Sequence, residues 1–315
     1  MKLEQLIYRL KVLSDYFYSN GIEDIYTNSK IYEVLISEQF NHRIINGHAH
    51  TPDAEDSSGA LYEYKHFKLS SSNHTWTFND FSDMTIENLY GVKEVWFTVI
   101  NDETVIPMIE KIYMVSGEEV ANYLQLHTPY ITNTRRMVNI SPTQIINNML
   151  YEVYEPARTI CSEPLQEIFT TANLIEQMIS VDGILTSNKL WELLVACELG
   201  HNINPDQKKH DAYDQFGRTY EYKVSSRTSW TFQDITINVL SGYLQDEKIV
   251  LSVVDKKNFQ VVKVCYCDPD ALVSILENKL QDKRERVETI NRLSVTIGVG
   301  DIKNMIQRGN AEWVL

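Results

Sequence analysis

Residues 53–65 read DAEDSSGALYEYK, and residues 211–223 read DAYDQFGRTYEYK. Alternating apolar and polar positions around a Gly-containing turn predict a strand hairpin in each stretch. Side chains alternate along a strand, so Glu63 and Lys65 share one face, as do Glu221 and Lys223. An Asp ten residues before the Glu, with the turn between them, can fold back beside it. Asp53 is thereby expected near Glu63, and Asp211 near Glu221. Each stretch gathers two carboxylates and an ammonium at one point.

The likeness continues on both sides of the hairpin. KIYEVLISEQFNH (30–42) matches KLWELLVACELGH (189–201), and TWTFND (75–80) matches SWTFQD (229–234). KIYMVSGEEVANYLQ (111–125) follows the pattern of KVCYCDPDALVSILE (263–277), and TRRMVNI (134–140) that of NRLSVTI (291–297). The blocks keep one order at offsets of 152 to 159, so the chain is read as a tandem duplication. The expected units are 1–142 and 143–315. Leu3, Leu6, Ile7, Leu10, Leu13 and Phe17 recur at helical spacing, ended by Asn20-Gly21, and a second helix carries Ile31, Val34, Leu35 and Phe40. Val95–Ile100, Val105–Val115, Ile249–Val254 and Gln260–Cys267 read as strands; Gly117–Leu126 and Pro269–Leu280 read as helices. Thr143–Met178 is expected to hold several short helices, because Pro156 and Pro164 interrupt it. The fold class is α/β, with two similar domains, each a mixed sheet of about five or six strands flanked by helices.

Composition sets outer limits. Among 315 residues, 43% are hydrophobic and 23% charged, which excludes a collagen-like or disordered chain. No run of eighteen apolar residues predicts a membrane span. MKLEQLIYRLK lacks the apolar core of a secretory signal, so a cytosolic compartment is expected. Of four Cys, Cys265 and Cys267 are close in sequence, and a C-x-C within an apolar run reads as strand core, not as zinc or redox chemistry. No P-loop or dinucleotide fingerprint occurs. The net charge is −14, with 11 basic and 19 acidic residues in 1–150 and 18 and 24 in the rest. Such spread acidity opposes non-specific nucleic-acid binding, but a local basic cleft remains compatible with it.

Two hard oxygen ligands with open positions suit Mg2+, which keeps several waters and binds one or two carboxylates together with substrate phosphate. Such a metal lowers the pKa of a bound water. A lysine beside it can offset negative charge on phosphate oxygens. This is chemistry for hydrolysing a phosphodiester. A lone E-x-K is more simply an exposed salt bridge; here all three residues are kept in both copies.

The D-x(9)-E-x-K hairpin resembles the PD-(D/E)xK nuclease superfamily, and the first copy even reads Pro52-Asp53. The closer resemblance is to the PvuII-like type II restriction endonucleases, whose catalytic stretch has the same D-A-x-D-x-x-G-x-x-Y-E-x-K spacing. It covers each half almost end to end, including GIEDIY (21–26), KIYEVL (30–35) and the strand around 135–140. The resemblance implies a fused version of a homodimer: a monomer acting as a pseudo-twofold dimer on double-stranded DNA, each half cutting one strand. It implies Asp53, Glu63, Asp211 and Glu221 as Mg2+ ligands and Lys65 and Lys223 as catalytic lysines. It also implies an active-site Tyr on the helix after the hairpin, for which Tyr90 and Tyr243 are the candidates. A cognate DNA methyltransferase is the implied genetic partner.

Departures from the family concern base reading. Its His-rich reading segment is replaced here by Thr77, Asn79 and Asp80 in the first copy and Thr231, Gln233 and Asp234 in the second. Asn and Gln can bond adenine bidentately, Asp can accept from cytosine N4, and Thr can serve either. Asn79 against Gln233 allows a slightly asymmetric site. Trp76 and Trp230 either pack in the core or stand with the readers. The family's acidic minor-groove residue falls at Asn28, in a segment three residues longer than its counterpart in the second copy. Candidate phosphate contacts are Lys68, Arg135, Arg136, Arg227, Arg292 and Lys303. His42 and His201 occupy matching helix ends and read as structural; His48, His50, His66 and His74 are unmatched. Competing readings are a structure-selective or repair nuclease, and a non-catalytic DNA-binding or scaffold protein whose clusters are salt bridges.

Overall fold

The structure is a computed structural model and describes residues 2–47, 51–79, 83–127, 137–206, 209–286 and 294–315. The first copy runs α1 (Leu3–Ser19), α2 (Lys30–Phe40), β1 (Arg43–Ile44), β2 (Ala54–Glu55), β3 (Leu61–Lys68), β4 (Trp76–Phe78), α3 (Asp83–Tyr90), β5 (Glu94–Asn101), β6 (Met108–Ser116), α4 (Gly117–His127), β7 (Val138–Ile140), α5 (Pro142–Asn148) and β8 (Tyr151–Tyr154). The second repeats this order: α6 (Glu163–Ile179), α7 (Lys189–Leu199), β9 (Asn202–Ile203), β10 (Ala212–Tyr213), β11 (Thr219–Ser225), β12 (Ser229–Phe232), α8 (Ile237–Tyr243), β13 (Lys248–Asp255), β14 (Gln260–Cys267), α9 (Pro269–Arg286), β15 (Val295–Gly298), α10 (Val299–Gln307) and β16 (Ala311–Trp313).

Each copy builds one six-stranded mixed sheet, in the orders β1-β2-β3-β5-β6-β8 and β9-β10-β11-β13-β14-β16. In each, one pair is parallel, β3 with β5 and β11 with β13, and the other neighbours are antiparallel. The parallel pair needs a crossover, supplied by β4–α3 and β12–α8. Strands β5 and β13 are buried at six successive positions, as expected of strands covered on both faces. By internal contacts the chain divides into Leu13–Thr171 and, together, Met1–Val12 with Ala172–Leu315.

Three stretches differ from the sequence expectation. Within 143–178 lies a strand, β8, paired with β6. Its four residues are mostly exposed, and pairing along an open sheet edge forms it, not local periodicity. Thus α5 and β8 complete the first sheet and are matched by α10 and β16 in the second. Strand β6 starts at Met108 instead of Val105, after Pro107, which has no N–H for a ladder. Helix α9 continues to Arg286, with Lys283, Arg284 and Arg286 in its last turn, where cations favour the helix dipole. Cys265 and Cys267 lie buried in β14 as core, with their sulfurs 3.9 Å apart. Among the described residues, no helix is long and apolar enough to cross a membrane.

The hairpin turn is fixed by its own side chains. Asp56 Oδ1 accepts from the N–H groups of Ser58 (2.8 Å) and Ala60 (3.0 Å), and Oδ2 from the Tyr62 hydroxyl (2.9 Å). Asp214 does the same with Phe216 (2.8 Å), Arg218 (3.0 Å) and Tyr220 (3.2 Å). The second Asp of the motif is therefore a turn former. Gly59 follows at φ +83° with open space where a Cβ would stand. Gly59→Ala should cost about 1 kcal/mol from backbone strain alone, read as a lower denaturation midpoint.

Candidate active site

The hairpin brings the first Asp beside the Glu through backbone pairing. Asp53 N–H donates to Tyr62 O (2.9 Å), and Ile45 N–H donates to Asp53 O (2.9 Å). The Asp53 side chain then turns across the hairpin, and its Oδ2 accepts from Tyr64 N–H at 2.7 Å. Asp211 repeats all three: to Tyr220 O (3.1 Å), from Asn204 N–H (2.9 Å), and from Tyr222 N–H at 2.7 Å. On β3 and β11, Tyr62, Tyr64, Tyr220 and Tyr222 are buried on one face. Glu63 and Lys65, and Glu221 and Lys223, therefore lie on the other. Lys65 donates to Glu63, and Lys223 to Glu221. These lysines keep 23% and 24% of their side-chain surface, so both centres remain open to a ligand.

A third carboxylate joins each centre. Burial raises the pKa of Glu33 on α2, against the pull of Lys65 and Lys30, and Glu63 adds to the rise. Burial pushes Glu192 on α7 up to about 7, with Lys223 opposing and Glu221 reinforcing it. Asp53 is raised well above the carboxylate range by burial, then by Glu63 and Glu33. Asp211 is raised by burial, Glu221 and Glu192. Burial opposes the charge on both lysines, yet the surrounding carboxylates hold their pKa values above the ordinary lysine value. Glu33 and Glu192 were not among the residues singled out from sequence. The available signal was a Glu recurring at one position of an otherwise apolar helix, in KIYEVL and KLWELL.

Mutually repelling carboxylates around a lysine form a donor set that a hard divalent cation would relieve. Asp53, Glu63 and Glu33 fit that role in the first copy, and Asp211, Glu221 and Glu192 in the second. Among the described residues, no three His, Cys, Asp or Glu side chains already stand as a metal cage. In each copy the hairpin glutamate is engaged by its lysine instead. Beside the first centre, a cleft of about 430 Å3 is lined by Glu23, Asn28, Lys30, Glu33, Asn46 and Asp53, among others. Asn28 thus lies in the wall of this cleft.

The second ribbon in each copy carries the candidate readers. Trp76 and Phe78 point inward, as do Trp230 and Phe232. Both indoles donate to sheet carbonyls, Trp76 to Thr98 O (2.9 Å) and Trp230 to Ser252 O (2.8 Å), so the tryptophans are core. Thr77, Asn79, Thr231 and Gln233 point the other way, and Asn79, Thr231 and Gln233 are exposed. Thr77 donates to Asn139 Oδ1 (2.7 Å) on β7, and Thr231 shares a hydrogen bond with Thr296 (3.2 Å) on β15. Asn139 and Thr296 therefore belong to the same polar faces. Asp234 follows β12 at φ +53°, half-buried. Asp80, Arg135, Arg136, Arg292, His48 and His50 lie outside the described residues. Lys68 pairs with Asp102 at 3.4 Å, while Arg227 and Lys303 are exposed.

Matching histidines brace the tyrosine face. His42 Nδ1 lies 2.7 Å from Tyr64 Oη, and His201 Nδ1 lies 2.8 Å from Tyr222 Oη. The tyrosine candidates part company. Tyr243 on α8 is buried, with the Lys223 ammonium 5.5 Å from its ring centre. Tyr90 on α3 is exposed and donates to Asn122 Oδ1 (2.8 Å) on α4, so it does not join the first centre. Compared with known proteins, the chain matches no family model and no curated protein.

Proposed function

We propose that the chain is a site-specific double-strand DNA endonuclease of the PD-(D/E)xK type, resembling the PvuII-like restriction enzymes and acting as a single-chain pseudodimer. The observation that carries it is the same gathering of a hairpin Asp, Glu and Lys with a helix Glu, in both copies of the duplication. Decoration by chance salt bridges explains one such cluster poorly and two worse. Asp53, Glu63 and Glu33, with Asp211, Glu221 and Glu192, would hold Mg2+. When bound, Mg2+ supplies Lewis acidity toward phosphate and a more acidic water. Lys65 and Lys223 stay protonated at neutral pH and offset negative charge gathering on the phosphate oxygens. Asp53 and Asp211 are fixed by the Tyr64 and Tyr222 amides, so the carboxylates need little rearrangement before reaction.

One centre per strand requires the two copies to serve antiparallel strands, the reason to expect a twofold relation. Thr77, Asn79, Asp80 and Asn139, with Thr231, Gln233, Asp234 and Thr296, are the candidate base readers. In this reading the host would protect its own DNA with a cognate methyltransferase. The test is supercoiled mixed-sequence plasmid with Mg2+ on the order of millimolar. Discrete linear bands support a site-specific enzyme, and a smear would move the reading to a structure-selective or repair nuclease. No cleavage with any divalent metal would leave a DNA-binding or scaffold protein. Binding should weaken steeply with salt, and Arg227→Ala or Lys303→Ala should each reduce the log–log slope by about 1 where that residue meets a phosphate.

A further inference from the structure

The reader ribbon of the second copy is flanked by a basic stripe. Lys279, Lys283 and Arg286 follow one another along α9 at helical spacing, which puts them on one face. Two of them reach the second strand of the ribbon. Lys279 Nζ donates to Thr296 O at 2.9 Å and to Asp301 Oδ2 at 2.6 Å, and Lys283 Nζ donates to Ser294 O. Thr296 is the residue whose hydroxyl shares a hydrogen bond with the candidate reader Thr231. Phe232 pairs with Val295, so Ser294 stands one step further along, level with Gln233. The stripe therefore climbs α9 towards the Gln233 end of the ribbon, and Arg286 lies about one turn beyond Lys283.

The helix dipole accounts for a cation in the last turn of α9, but not for lysines that reach across to a neighbouring strand. Lys279 is offset by Asp301. Lys283 and Arg286 are exposed, and among the described residues neither has an acidic partner. The first copy is built differently. The offset between the copies grows from 152 at the strand before α9 to 157 at β15, so the extra chain belongs to the second copy. His127 stands at the place of Lys279 and turns back on its own helix, with Nδ1 2.7 Å from Tyr123 O and its ring stacked on Tyr123 at 4.0 Å. From Thr128 to Thr134 the first copy has neither Lys nor Arg.

We propose that Lys283 and Arg286 form a phosphate grip on duplex DNA beside the second reader ribbon, a grip that α4 of the first copy does not repeat. The inference rests on the DNA-cleaving reading above and adds where the backbone is held. Phosphate contacts fix the register of a protein on a duplex without reading its sequence. Here they would hold the duplex where Thr231, Gln233 and Thr296 can meet base edges. In a chain of net charge −14, attraction to phosphate must come from such local cations, so the loss of each is measurable.

The test is binding of a fluorescent mixed-sequence duplex, read by anisotropy in metal-free buffer over a range of KCl, with thermal melts to check that each variant folds. Lys283→Ala and Arg286→Ala should each lower the log–log salt slope by about 0.9, and the double variant by about 1.8. Lys283→Arg and Arg286→Lys keep the charge and should keep the slope. Arg284→Ala removes the same charge from another face of α9 and should leave the slope nearly unchanged. An equal effect of Arg284→Ala would show that overall charge, not contact, sets binding, and would overturn the inference. So would an unchanged slope in the double variant, or no binding by the unaltered chain at the lowest salt. Plasmid cleavage with Mg2+ is scored separately. Cleavage by the unaltered chain, with an unchanged slope in the double variant, removes the grip and leaves the nuclease reading. A lowered slope without cleavage under any divalent metal removes the nuclease reading and leaves the grip on a DNA-binding protein.

Discussion

Lys65→Ala is expected to turn a double-strand cut into a nick. Supercoiled plasmid should accumulate as open circles, Lys223→Ala should do the same, and the double variant should be inert. Each lysine is the cation on its strand face, bonded to the hairpin glutamate and surrounded by Asp and the helix Glu. Removing it withdraws charge stabilisation from the phosphate and leaves three carboxylates without their counter-charge. Loss of one well-placed donor in a reacting centre lowers rates by about 10²–10³. Nicking and linearisation are separate bands on one gel, so the two centres can be scored independently. Linear product from either single variant at the unaltered rate would show that one copy can cut both strands.

The opposite direction of effect is expected for stability. Asp53 and Asp211 are raised by burial and by neighbouring carboxylates. Such a group binds its proton more tightly folded than unfolded. Its ionisation therefore works against folding as pH rises from the ordinary Asp value, about 4, through the raised native value. Asn cannot ionise, and its side-chain oxygen can still accept from the Tyr64 or Tyr222 amide. Asp53→Asn with Asp211→Asn should thus stabilise the metal-free chain at neutral pH by about 1–2 kcal/mol. The gain should vanish below about pH 4. The same variant should lose cleavage and lose the rise in melting temperature that Mg2+ is expected to give the unaltered chain. Thermal melts across pH, with and without Mg2+, read both effects. A variant less stable than the parent at neutral pH would show that Lys65, Lys223 and the amides outweigh the repulsion.

What could be read from sequence was what repeats locally. The helices at 3–19 and 30–40 follow from their apolar spacing, and β5 and β13 from continuous apolar runs. The hairpin geometry followed from strand alternation and a glycine turn. Strand β8 was hidden because YEVY gains its structure from β6, a partner far away in sequence. Glu33 and Glu192 were hidden because a single Glu on an apolar helix looks like a solvated position until the sheet closes over it. Tyr90 was a natural match for Tyr243 by residue type, and only constant spacing to the neighbouring strands pairs Tyr243 with Leu89. The inward turn of Trp76 and Trp230, by contrast, settles from burial which side of their ribbon can meet a ligand.

The buried tyrosines behind each centre act as a proofreader of folding. Tyr62 and Tyr64 pack with His42 and Trp96, and Tyr220 and Tyr222 with His201 and Tyr266. Shifting β3 or β11 by one residue would drive Glu and Lys into that aromatic layer and throw the tyrosines into water. Misregistered sheets are thereby disfavoured by burial alone. A chain folded in this register presents Glu63 with Lys65, and Glu221 with Lys223, on the side away from the aromatic layer.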